Sequence, residues 1–170
     1  MIRIPKALLA AACLAALLPF AAAAQEAAPG SRNIQANETP WQVNCAPTDA
    51  SGTLACTMSK SLILPEGNRV LAQAAVVHVA DGLKMRIMAP HGMSVPEGLT
   101  VSVDDREVAK APYTTSLPAG IVGLLDLTPD IEEALRLGNT MTVTGTQNSG
   151  QSFVFKMSLV GFSASIEKVR

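Results

Sequence analysis

Alternation is what most limits the fold of this chain. In SFVFKMSL, Phe153, Phe155, Met157 and Leu159 fall on one side of an extended backbone and Ser152, Val154, Lys156 and Ser158 on the other. Successive strand side chains point to opposite faces, so this spacing suits a strand covered on one side; on a helix it leaves no apolar stripe. The same period recurs at Leu83, Met85 and Ile87, at Leu99, Val101 and Val103, and at Met141 and Val143 among threonines. Val70 to Val79 is more apolar along its length than the alternating segments, as a central strand or one covered on both sides would be. Asp81-Gly82 and Gln147-Asn148-Ser149-Gly150 read as turns between neighbouring strands. Phe153 to Leu159 is expected to be the inner face of a central strand, with Gly161 bending the chain and Phe162 sealing the end of the fold.

One segment predicts a helix. In LTPDIEEALRLGN, Thr128 suits the cap, Pro129 the first helical position and Gly138 the stop, with Asp130, Glu132 and Glu133 near the positive end. Ile131, Ala134 and Leu135 would face the core. About eight strands separated by turns, with this single helix, predict an all-β chain folded as an antiparallel β-sandwich.

The N-terminus sets the compartment. Arg3 and Lys6 precede an uncharged apolar run from Ala7 to Phe20, and Ala22-Ala23-Ala24 has the small-residue character of a signal-peptidase site. Residues 1–24 are therefore expected to be a secretory signal peptide. A membrane-spanning helix needs about 20 apolar residues, and a lipid-bearing Cys13 would sit inside the apolar run instead of at its end. Residues 25–39 lack periodicity and predict a flexible leader, which leaves 40–170 as a single β-sandwich domain. Beyond residue 24 the chain carries 11 basic and 14 acidic side chains, a formal charge of −3, with no block of either sign. Nucleic acid is thus no expected partner, since it calls for clustered Lys and Arg.

Export in turn bears on Cys45 and Cys56, the two cysteines beyond the apolar run. In oxidising surroundings an even pair at this spacing reads as a structural disulfide closing a short hairpin-like loop. A redox couple more usually has two residues between its thiols at a helix start, and a metal site needs further ligands near His78 or His91, which stand alone. Those two alternatives rank behind the staple. Metal and cofactor are accordingly not expected. Met58, Met85, Met88, Met93, Met141 and Met157 form no close thioether cluster and read as core filling. Asp104-Asp105 reads as a solvated turn, and Trp41, the one tryptophan, as a core plug near Cys45 rather than a surface anchor. No nucleophile elbow, phosphate loop or zinc helix is present, so no catalytic residues are assigned and the chain is read as no enzyme.

From Trp41 onward the order of motifs resembles the invasion-associated locus B proteins of Gram-negative bacteria. The resemblance is carried by W-x-V-x-C at Trp41 to Cys45 with Cys56 following, by MRIMAPHGMSVPEGLTVSVDD, by LRLGNTMTV and by SLVGFSASIEKV. It implies an immunoglobulin-like sandwich, an exported protein of the periplasm or outer membrane or one that is secreted, a role in invading host cells, and no catalysis. The implied mode of action is binding of a macromolecule, an envelope or host protein of unknown identity; a periplasmic ligand-binding or folding-assistance module is the alternative. One departure stands out. Where the family pattern has a second cysteine pair, this chain has Ser116 and Ile121, and the loop from Pro112 to Gly120 is expected to be less constrained.

Overall fold

The protein is described by a computed structural model covering residues 36–48 and 53–170. The expected signal peptide and residues 25–35 of the expected leader lie outside the described residues. Strand structure begins ahead of Trp41, at the short strand β1 (Asn37–Glu38), so the leader does not extend to residue 39 as a structureless segment.

Two antiparallel sheets pack face to face. The first contains β1, β2 (Gln42–Pro47), β3 (Leu54–Leu64), β4 (Arg69–Val79), β5 (Gly82–Ala89), β8 (Tyr113–Leu117) and β9 (Gly120–Asp126). Its order is β1-β3-β4-β5-β9-β8, with β2 also paired to β3. The second has the order β11-β10-β6-β7, built from β6 (Leu99–Val103), β7 (Arg106–Ala111), β10 (Thr140–Thr146) and β11 (Ser152–Ser158). The described chain is therefore an all-β sandwich with eleven strands, more than turn spacing alone predicts, because β1 and β8 are too short or too polar to announce themselves. The segment from Pro112 to Gly120, expected as a loop, instead contains β8, paired along β9 with Ser116 opposite Ile121.

Alternation explains the core. Met85 and Ile87 of β5, Leu99 and Val101 of β6, Met141 and Val143 of β10, and Phe155 and Met157 of β11 are all buried between the sheets. Phe153, Phe155, Met157 and Leu159 do face inward, but β11 is an edge strand and not a central one. Periodicity reports which face is covered; it carries no information on how many neighbours a strand has. β4 does lie inside its sheet, between β3 and β5.

Two helices close the sandwich, where one was expected. α1 (Pro129–Leu137) starts with the Thr128 hydroxyl accepting from the Ile131 backbone N–H at 3.5 Å. It stops at Gly138 for a reason other than a left-handed cap: φ there is an ordinary −77°. A Cβ at Gly138 would run into the Val103 side chain, so glycine lets the helix end press against β6. α2 (Phe162–Ile166) follows Gly161, whose φ of 87° makes the bend expected from the sequence. The chain then turns into a short helix that buries Phe162 and Ile166. Five residues are too few to show helical periodicity, which is why this element is invisible in the sequence.

Candidate functional site

The segments that carry the family resemblance meet one another in space. Trp41, ahead of β2, is 8% exposed and packs edge-on against Phe162, ring centroids 5.2 Å apart and planes at 78°. Its indole N–H donates to the Ser158 carbonyl at 3.3 Å. Trp41 is thus a core plug. It is held from the far end of the chain, and not by the disulfide alone. Beside it Glu38 takes the backbone N–H of Ser158 at 3.2 Å and pairs at 3.0 Å with Lys60, a lysine only 4% exposed. A lysine that buried requires a partner, so Glu38 fastens β1 to both sheets at once.

A second joint links the β6–β7 turn to the start of β10. Asp104 and Asp105 both have positive φ, 47° and 67°, which is the backbone that the tightest hairpin turns demand and that Asp tolerates better than most residues. The turn was expected, but Asp104 is more than a solvated acid. Its carboxylate accepts the backbone N–H groups of Asn139 and Thr140, each at 2.9 Å, and the Asn139 side-chain amide at 3.3 Å. These bonds to backbone N–H groups hold its pKa below the ordinary carboxylate value. A third joint ties the helices. Glu132 on α1, 7% exposed, receives Arg136 at 2.7 Å and also Arg170, while Arg136 reaches Glu167 at 2.5 Å. Burial alone would raise the Glu132 pKa; the two arginines outweigh it and lower it.

Cys45 and Cys56 form a disulfide across directly opposed positions of β2 and β3, Cα atoms 4.0 Å apart. It staples a hairpin whose residues from Cys45 to Pro47 and at Leu54 and Ala55 are exposed, where core contacts are scarce. His78 is exposed on β4, and exposed His91 places Nε2 3.4 Å from the Pro118 carbonyl. Among the described residues, no group of three His, Cys, Asp or Glu is placed to hold a metal ion, and no helix is long and apolar enough to cross a membrane.

What the joints leave open is a groove between α1 and β7, about 480 Å³ in volume. Its apolar side chains are Val108 on β7 and Ile131, Ala134 and Leu137 on α1, with Val103 below. Arg106, Glu107 and Val108 all line it. Side chains of consecutive strand residues alternate in direction, so the groove follows the open edge of β7 and not one face of the sheet. Val108 is also the extra residue of a β-bulge, because Ser102 pairs with Glu107 and Val101 with Ala109. Bulges of this kind re-aim side chains and stop further pairing at an edge. Within LRLGNT, Leu135 is core, Arg136 is ion-paired, Gly138 touches β6, and Asn139 and Thr140 bind Asp104. Leu137 is left 78% exposed at the groove. Sequence reasoning missed this site. The one readable signal was Leu137 itself, an apolar residue off the core stripe of α1; the bulge at Val108 depends on pairing that no local pattern encodes.

Comparison with known proteins identifies the family and the fold. The sequence profile of the Invasion associated locus B (IalB) protein family matches residues 41–170. Invasion protein B homologues from Brucella abortus strain 2308 and from its biovar 1 strain 9-941 are each 28% identical over 144 residues, spanning 83% of this chain and 82% of their own. The crystal structure of invasion associated protein B from Bartonella henselae superposes with a TM-score of 0.66 at 24% identity, over 76% of this chain and 89% of that one, which shows a shared fold. The chain belongs to the invasion associated locus B protein family.

Proposed function

We propose that this protein is an exported, non-catalytic envelope protein that acts in host-cell invasion by binding another macromolecule. The observation that carries this reading is the use made of the residues that carry the family resemblance. Trp41, Asp104, Gly138 and Phe162 serve as joints of the sandwich, and among the described residues they bring no nucleophile together with a base. The Cys45–Cys56 disulfide supports export, since such bonds persist in oxidising compartments and are rare in reducing ones. The names of the Brucella and Bartonella relatives support the link to invasion.

The test is chemical crosslinking in intact cells, followed by purification of the chain and identification of what is joined to it. A discrete macromolecular adduct, found reproducibly in the envelope or at contact with host cells, is the expected result. No adduct under any condition, together with a small molecule that copurifies with the chain, would replace this reading with that of a periplasmic ligand-binding module.

A further inference from the structure

We propose that the groove between α1 and β7 docks a polypeptide segment that presents a large apolar side chain flanked by lysine or arginine. The inference rests on the binding reading above and adds the place and the chemistry of the partner. Shape comes first. Val108 sits at the bulge on the β7 edge and, like Ile131 and Ala134 of α1, is half-buried against the core, so that these three floor an open trough beside exposed Leu137, with charged side chains along its sides. A single exposed leucine is ordinary, but Leu137 stands over a concave surface of about 480 Å³, large enough to take one or two bulky side chains.

Charge decides the partner. Asp104, Glu107 and Asp130 line the groove against one base, Arg106, and exposed Glu133 lies one turn of helix from Leu137. A rim of this sign favours flanking cations and disfavours an acidic segment through like-charge contact. The bulge also argues against the partner adding as a regular strand along β7, because it interrupts the ladder at Val108. Recognition therefore runs through side chains in the trough and charges on its rim.

The experiment titrates the isotopically labelled exported chain with three capped octapeptides, following backbone amides by NMR. The first carries one leucine and one phenylalanine among lysines and alanines; the second has glutamate for every lysine; the third has alanine for leucine and phenylalanine. The first peptide is expected to shift amides of β7 and α1 at sub-millimolar concentration, to bind at least about tenfold more tightly than the other two, and to weaken as salt is raised. Leu137→Ser should lower its affinity at least about fivefold while leaving the rest of the spectrum in place, and Glu107→Gln with Asp130→Asn should flatten the salt dependence. Equal binding of the glutamate peptide, shifts that map to another face, no shifts at millimolar concentration, or affinity unchanged by both sets of substitutions would overturn the proposal. A cellular adduct formed through a different surface, with no peptide response here, removes the groove and keeps the binding function; a peptide response with no cellular adduct does the reverse.

Discussion

Leu137, the last residue of α1, and Val160, just ahead of α2, are both exposed aliphatic side chains, 78% and 81% accessible, yet they sit in opposite kinds of place. Val160 precedes Gly161 and Phe162, where the chain folds back and the apolar side chains that follow are buried: Phe162 on Trp41, Ile166 and Val169 in the core. Leu137 stands over a trough that nothing in the described chain fills. The difference separates two uses of apolar surface. At the joint it holds the sandwich together across more than a hundred residues of sequence. At the groove it is left facing outward, although two residues earlier the same helix buries Leu135 completely. Substitutions at the joint should therefore cost stability, and substitutions at the groove should cost binding.

The largest effect is expected at the joint. Phe162→Ala removes a fully buried ring and the edge contact with Trp41, and should cost about 3–5 kcal/mol by denaturant unfolding. Trp41 emission should shift to the red in the variant that remains folded. An unfolding midpoint within error of the parent would mean that Phe162 is not part of the core.

The stapled hairpin is expected to come next. Cys45→Ser with Cys56→Ser should lower stability by about 2–4 kcal/mol and leave a folded β-protein, as read by circular dichroism and thermal melting. Here a second comparison sharpens the first. Ser116 and Ile121, where the resemblance implies a second cysteine pair, occupy directly opposed positions on β8 and β9, as the two cysteines do on β2 and β3. Val122 and Gly123 following Ile121 are buried, although Ser116 itself is exposed, whereas Cys45 to Pro47 and Leu54 to Ala55 are exposed on both strands of the stapled hairpin.

Asp104 gives a smaller, pH-dependent effect. Its folded pKa lies below the unfolded value, near 3.9, because Asn139 and Thr140 donate to its charged form. Such a group contributes stability above the unfolded pKa and loses it as pH falls through the folded one. Asp104→Asn should consequently melt lower than the parent at pH 7 and converge on it in strong acid. A constant gap across that range would show that geometry, not charge, is what Asp104 supplies.

How much of this was readable from the chain depends on the range of the cause. Inward-facing residues such as Met85, Val101, Val143 and Phe155 follow from period two, and the α1 start follows from Thr128 and Pro129, because both are local rules. The edge position of β11, the strand at Ser116, the helix at Phe162 and the partner of Trp41 are set by which elements meet, and a strand's sequence is the same whether one neighbour or two flank it. The cysteines were legible as a pair once the N-terminus suggested export. The groove was not, since it arises from a bulge on one element and an off-stripe leucine on another.

The smallest stability effect should come from the groove. Leu137→Ser is expected to move the unfolding free energy by no more than about 0.5 kcal/mol, because the side chain is largely in water already. Denaturant unfolding checks this directly. A cost above about 1 kcal/mol would place Leu137 with the joint residues.

The direct test of the separation puts a photo-crosslinking amino acid at position 137 in one version of the chain and at position 160 in another, in cells that export it. Both sites are exposed and apolar, so the probe itself is equally tolerated. The account predicts a discrete macromolecular adduct from position 137 and none above background from position 160. Adducts of equal yield from the two positions, or an adduct from position 160 alone, would contradict it.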